Sequence, residues 1–162
     1  MATMDQLLFA VVLLAALGCS LIAGVFFAFS TFVMKALARL VVAEGIAAMQ
    51  SINVVVVRSW FMAVFIGTAV ICAVVLTYSL FRLDQPGAIL LLGGSLLYLL
   101  GCFMVTIVFN VPRNDALASA EANDPNSVRL WSGYIAGWTA WNHVRTAAAL
   151  AAAALFSIAL VC

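Results

Sequence analysis

Apolar residues run along this chain in unbroken stretches far longer than a soluble fold uses. The segments 6–34, 59–81 and 85–112 contain no Lys, Arg, Asp or Glu, and each exceeds the roughly 20 residues with which a helix crosses a bilayer. None shows the alternating in-out pattern of a membrane barrel strand. A fourth apolar run, 146–162, is shorter, so Arg145 is expected at or just inside the membrane boundary. The pattern predicts an all-α, integral membrane four-helix transmembrane bundle: one domain, 1–162, with spans at about 6–34, 54–81, 88–110 and 139–161.

Between the runs the polar residues are punctuated by turn chemistry. Arg82, Asp84, Pro86 and Gly87 supply a tight reversal after the second span. Pro112 is expected to end the third span, and Asn123, Asp124, Pro125 and Asn126 form a turn that starts a helix. A short interfacial helix is expected at 127–137, with Trp131 and Tyr134 in the headgroup region. The segment 41–57 reads as an interfacial stretch leading helically into span two, with Gln50, Ser51, Asn53 and Arg58 as its polar members. Helix one carries Ala16, Ser20, Gly24 and Ala28 at four-residue spacing, a packing stripe that also suits a homo-oligomer.

Composition excludes a water-soluble fold: 67% of residues are hydrophobic and 8% charged, with a mean hydropathy of +1.24. No Lys or Arg precedes Lys35, so no removable signal peptide is expected. Lys35, Arg39, Arg113 and Arg129 fall in the first and third connections against Arg82 in the other regions, which orients both termini outward. The net charge of +1 without a basic run excludes nucleic acid as a partner. The cysteines, Cys19, Cys72, Cys102 and Cys162, form no C-x-x-C pair and read as small hydrophobes.

Four antiparallel spans would bring the unusual polar residues to one side of the membrane. Helix two gives Gln50, Asn53 and Arg58; helix three gives Thr106, Asn110, Arg113 and Asn114; helix four gives Trp138, Trp141, Asn142, His143 and Arg145. Amides and cations near hydrocarbon face a bundle interior or a polar cavity, so a shared pocket is expected. Trp138, Trp141, Asn142 and Arg145 share a helical face, whereas His143 is turned about 100° from Asn142. Either Asn142 or His143 can point fully inward.

With one His and the carboxylates assigned to loops and termini, no metal site is expected, and proton-coupled transport is disfavoured. The pocket suits a flat, apolar, weakly acidic aromatic. His143 is the candidate base, with Arg145, Asn142, Asn110 and Arg113 stabilising the enolate or phenolate.

The segments GVFFAFSTFVMKAL, AMQSINVVVVRSWF, FNVPRN at 109–114 and WTAWNHVRT at 138–146 resemble the anthrone oxygenase-like family of small four-helix membrane proteins, over nearly the whole chain. The resemblance implies a membrane oxygenase that oxidises a polycyclic or quinol-like aromatic without metal or organic cofactor, in a bacterial inner (cytoplasmic) membrane. His143, Arg145 and Asn142 are then the catalytic candidates, and Asn110, Asn114, Asn53, Trp138, Trp141 and Arg113 the substrate-binding ones. The alternative is a non-catalytic membrane module that binds a lipid, a quinone or, through His143, a haem, or a subunit of a larger complex.

Overall fold

The computed structural model describes residues 6–121, 124 and 126–162, and its regular structure there is entirely helical. Helix α1 (Gln6–Leu37) is α-helical to Ala28 and widens to a π-helix over Phe29–Val33. A short turn leads to α2 (Val42–Val57), then α3 (Trp60–Phe81). Helix α4 (Ala88–Ala118) contains two π-helical stretches, Leu97–Met104 and Thr106–Asn110. Helix α5 (Ser127–Ala159) runs 33 residues without interruption.

Helices α1, α3 and α4 are long and apolar enough to cross a membrane. Their outward faces are as apolar as their inward ones: Leu14, Leu17, Leu21 and Phe27 of α1 and Ile66, Val70 and Val74 of α3 are all exposed. Contiguous apolar surface on this scale is unstable in water and stable in hydrocarbon.

The main core joins α1, α3, α4 and α5 through Ile22, Phe26, Phe65, Cys72, Leu91, Tyr98, Cys102 and Phe156. Small residues let the backbones approach, since lipid supplies no hydrophobic force to press helices together. A Cβ added at Gly101 would lie 2.6 Å from the Cβ of Ala148, and one at Gly18 would collide with the Thr68 hydroxyl. The Ala-rich run 147–154 of α5 is therefore the surface on which α1 and α4 lie. Buried Tyr98 donates its hydroxyl to the Phe65 carbonyl at 3.0 Å, tying α4 to α3.

A second cluster joins Met34 and Leu37 of α1, Ile46 and Met49 of α2, Leu117 of α4 and Trp131, Tyr134 and Trp138 of α5. It stands at the end of the bundle where α1 and α4 finish and α3 and α5 begin. The reversal at the opposite end turns on Gly87, whose φ of 77° is accessible to glycine at no steric cost.

Several boundaries differ from the sequence expectation. Span two begins at Trp60 rather than 54: the chain breaks at Arg58–Ser59, and the Ser59 hydroxyl bonds back to the Val56 carbonyl at 2.7 Å. Four consecutive β-branched valines before the break weaken the helix there. Pro112 does not end span three, because it sits in the first turn after the π-helical stretch, where its missing N–H costs little, and the helix continues to Ala118.

No separate interfacial helix stands at 127–137, since nothing in that sequence stops it from continuing into α5. Trp131 and Tyr134 are correspondingly buried in the second cluster, stacked at 5.7 Å, and not exposed to headgroups. The helix-one stripe is split, with Ala16 buried and Ser20 and Gly24 exposed. In the turn before α5, Asp124 accepts a bond from the Asn126 N–H at 2.6 Å; Asn123 and Pro125 lie outside the described residues.

Candidate functional site

Between α1, α2, α3, α4 and α5, at the end of the second cluster, lies a cavity of about 620 Å³. Phe26, Phe29, Phe61, Phe65 and Trp138 form its aromatic wall, and Gln50, Asn53, Arg58, Thr106, Asn114, Asp115 and Arg145 are its polar lining.

Arg145 is 3% exposed and is reached only from within the bundle. Its guanidinium donates to Asn142 Oδ1 at 2.6 Å and to Thr106 Oγ1 at 3.2 Å. It lies 4.1 Å from the Phe26 ring centroid and 4.9 Å from that of Trp138. None of these partners is a carboxylate, and Arg145 Nε is buried without a hydrogen bond. Two ring faces offset part of the desolvation of a cation, each by about 0.5–2 kcal/mol, which is well short of what an opposite charge supplies. The charge is held in place, but among the described residues no carboxylate bonds it.

Asn142 does the holding. It is fully buried, donates from Nδ2 to the Phe26 carbonyl and to Ser30 Oγ, both at 2.7 Å, and accepts from Arg145. Phe26 and Ser30 flank the start of the π-helical stretch of α1. Asn142 thus ties the start of the widened turn to the neighbouring helix. Thr146 completes the cluster, with its hydroxyl on the Asn142 carbonyl at 2.8 Å and 3.3 Å from Ser30 Oγ.

At the mouth, Gln50 Nε2 donates to the carbonyls of Leu117 at 2.8 Å and Ala120 at 3.2 Å, so α2 caps the end of α4 and closes one side of the cavity. Tyr134 donates to Asn114 Oδ1 at 2.9 Å. Asn53 Nδ2 and Trp138 Nε1 are buried without partners. With Arg145 Nε, these three unpaired N–H groups belong to residues that line one cavity, and such donors are costly unless something accepts from them.

The remaining candidates lie elsewhere. His143 is exposed on the outer face of α5, turned away from Asn142 by one helical step, so it does not line the cavity; a haem bound to it would sit against the outside of the bundle. Trp141 stacks on Phe109 at 3.6 Å, away from the cavity lining. Asn110 is buried and donates to the Trp138 carbonyl at 3.2 Å, a clamp between α4 and α5. Arg113 bonds the Phe109 carbonyl at 2.6 Å and crosses α5 at Gly137, where a Cβ would meet its Nε at 2.8 Å. The sequence reading missed Phe26 and Ser30, which are hidden in an apolar run, and it assigned Asp115 to a loop although α4 carries it into the cavity lining. Among the described residues no three His, Cys, Asp or Glu side chains are grouped to hold a metal ion.

Fold and site together define a helical protein, with helices fit to cross a membrane, that encloses an aromatic-walled, donor-rich cavity around a buried cation. The chain belongs to the anthrone oxygenase family, whose family model matches residues 57–155. The matched residues hold the α3, α4 and α5 walls, including Arg145, Thr106 and Asp115, while the α1 wall and most of α2 lie before them. Comparison with curated proteins and with solved structures gives no match.

Proposed function

We propose that this protein is a four-span membrane oxygenase that oxidises a polycyclic or quinol-like aromatic of the anthrone type with dioxygen, using no cofactor of its own. The observation that carries the reading is Arg145, buried in an aromatic-walled cavity with no carboxylate partner among the described residues. Loss of a proton from an anthrone leaves a carbanion whose charge spreads onto the carbonyl oxygen. A preorganised guanidinium in low dielectric favours that anion far more than the neutral ketone. The electron-rich carbon then reduces dioxygen directly.

The fourth span is the C-terminal part of α5, at about 139–161, which packs against α1 in the core. The cations Lys35, Arg39, Arg113 and Arg129, at the cavity end of the bundle, then lie on the cytoplasmic side of a bacterial inner membrane, with both termini outward. The substrate is an apolar aromatic that partitions into lipid.

Anthrone itself serves as the probe, with dioxygen uptake and anthraquinone absorbance as readouts on the protein in mild detergent. Arg145→Gln is expected to lower kcat by about 100-fold or more, the scale on which removal of an oxyanion donor acts. His143→Ala is expected to keep wild-type turnover, because its side chain lies outside the cavity. Failure of the wild-type protein to consume dioxygen with anthrone overturns the reading.

A further inference from the structure

With His143 on the outer face of α5, the cavity needs another acceptor for the substrate's proton. Among the described lining residues Asp115 is the one carboxylate, and none is His, Cys, Tyr or Lys. Arg58 and Arg145 are cations, and Gln50 is committed to the carbonyls that close α4.

The position of Asp115 on α4 is as informative as its chemistry. It stands nine residues beyond Thr106, whose hydroxyl accepts from the Arg145 guanidinium. At about 1.5 Å per residue this is roughly 13 Å along the axis. The π-helical turn Thr106–Asn110 shortens that length, and helical side chains lean toward the N-terminus, which tips the carboxylate back toward the guanidinium. The two charged groups are thus spaced too far apart for an ion pair, on the order of 10 Å. A carbonyl oxygen, the ring carbon opposite it and a polar contact at each end need a similar length. The cavity has a donor end, where Arg145 Nε and Trp138 Nε1 are buried and unpaired, and an acceptor end at its exposed mouth, where Asp115 lies.

We propose that Asp115 is the base of the reaction, taking the proton from the ring carbon that lies opposite the oxygen held by Arg145. This rests on the oxygenase reading above. The C–H bond breaks, the proton passes to the Asp115 carboxylate, and the electron pair spreads to the oxygen at Arg145. The carbanion transfers electrons to dioxygen and a C–O bond forms. Asp115 returns its proton to the peroxide anion, and then removes the second hydrogen of the same carbon as a proton while the O–O bond breaks and hydroxide departs. One oxygen atom remains as the new carbonyl; the hydroxide takes the second proton from Asp115 and leaves as water, which restores the carboxylate, and all four electrons that reduce dioxygen come from the substrate carbon.

The test compares wild type, Asp115→Asn and Asp115→Glu, with anthrone turnover on one side and anthraquinone binding, read by quenching of tryptophan fluorescence, on the other. Asp115 is exposed, so both variants are expected to fold. Asp115→Asn is expected to lower kcat by about 100-fold or more while anthraquinone affinity stays within about threefold, and Asp115→Glu to recover a substantial part of the rate. Wild-type turnover that Asp115→Asn retains, or a loss explained wholly by weaker anthraquinone binding, overturns the assignment of the base and leaves the oxygenase reading standing. No turnover in the wild type removes both.

Discussion

Asn142 ties the buried cation of α5 to α1. One amide bridges a carbonyl of α1, a hydroxyl of α1 and the guanidinium of its own helix. Asn142→Ala leaves all three without that partner in the buried interior of the bundle. The expected loss is about 2–3 kcal/mol, the cost of stranding buried hydrogen-bonding groups, measurable as a lower Tm in detergent. Asn142→Asp is informative beside it: a carboxylate there would answer the charge of Arg145 and take away its attraction for an anionic ligand, so turnover falls even where the fold is kept. The sequence had narrowed the inward residue to Asn142 or His143, because adjacent helical positions cannot share a face. It could not choose between them, since helix rotation is set by Phe26 and Ser30, which have no polar signature in their surroundings.

At the scale of the helix, long apolar runs were legible and their ends were not. Hydrophobicity located α1, α3 and α4 because bilayer thickness sets their minimum length. Turn residues misled at Pro112, since a proline ends a helix only where its missing N–H and ring cannot be accommodated, and the adjacent π-helical stretch accommodates both. The helix thereby extends to Ala118 and brings Asn114 and Asp115 into the cavity lining. Trp131 and Tyr134 misled in the opposite sense, because aromatic residues near a membrane boundary serve equally well as an anchor or as a core. Close helix approach gives a prediction at this scale. Gly101→Val places a branched side chain against Ala148, and overpacking of this kind is expected to cost about 1–3 kcal/mol, visible as a Tm shift, without altering the residues that line the cavity.

For the whole molecule, the sequence conveyed which end of the bundle holds the chemistry, because antiparallel order alone gathers Asn53, Asn114, Trp138 and Arg145. It did not convey that α2 folds against α4 to close a chamber, which depends on the Gln50 bonds to carbonyls far along the chain. The proposed orientation is directly measurable through the cysteines. Cys19, Cys72 and Cys102 are buried and Cys162 is exposed. A membrane-impermeant maleimide applied to intact bacterial cells is expected to label the protein once, at Cys162, and to leave Cys162→Ser unlabelled. Labelling only after the cells are broken places the C-terminus inside.

The π-helical turns have a consequence for how this cavity persists through mutation. Thr106 and Val111 both line it although they are five residues apart, a spacing that a widened turn aligns and a regular α-helix separates. The working face of α4 thus depends on the count of residues between its two halves as much as on their identity. Deleting a single unremarkable residue from 97–105 would rotate the segment from Thr106 onward by about 100° relative to what precedes it. Every chemically important side chain would still be encoded, yet Asn114 and Asp115 would leave the face they share with the cavity.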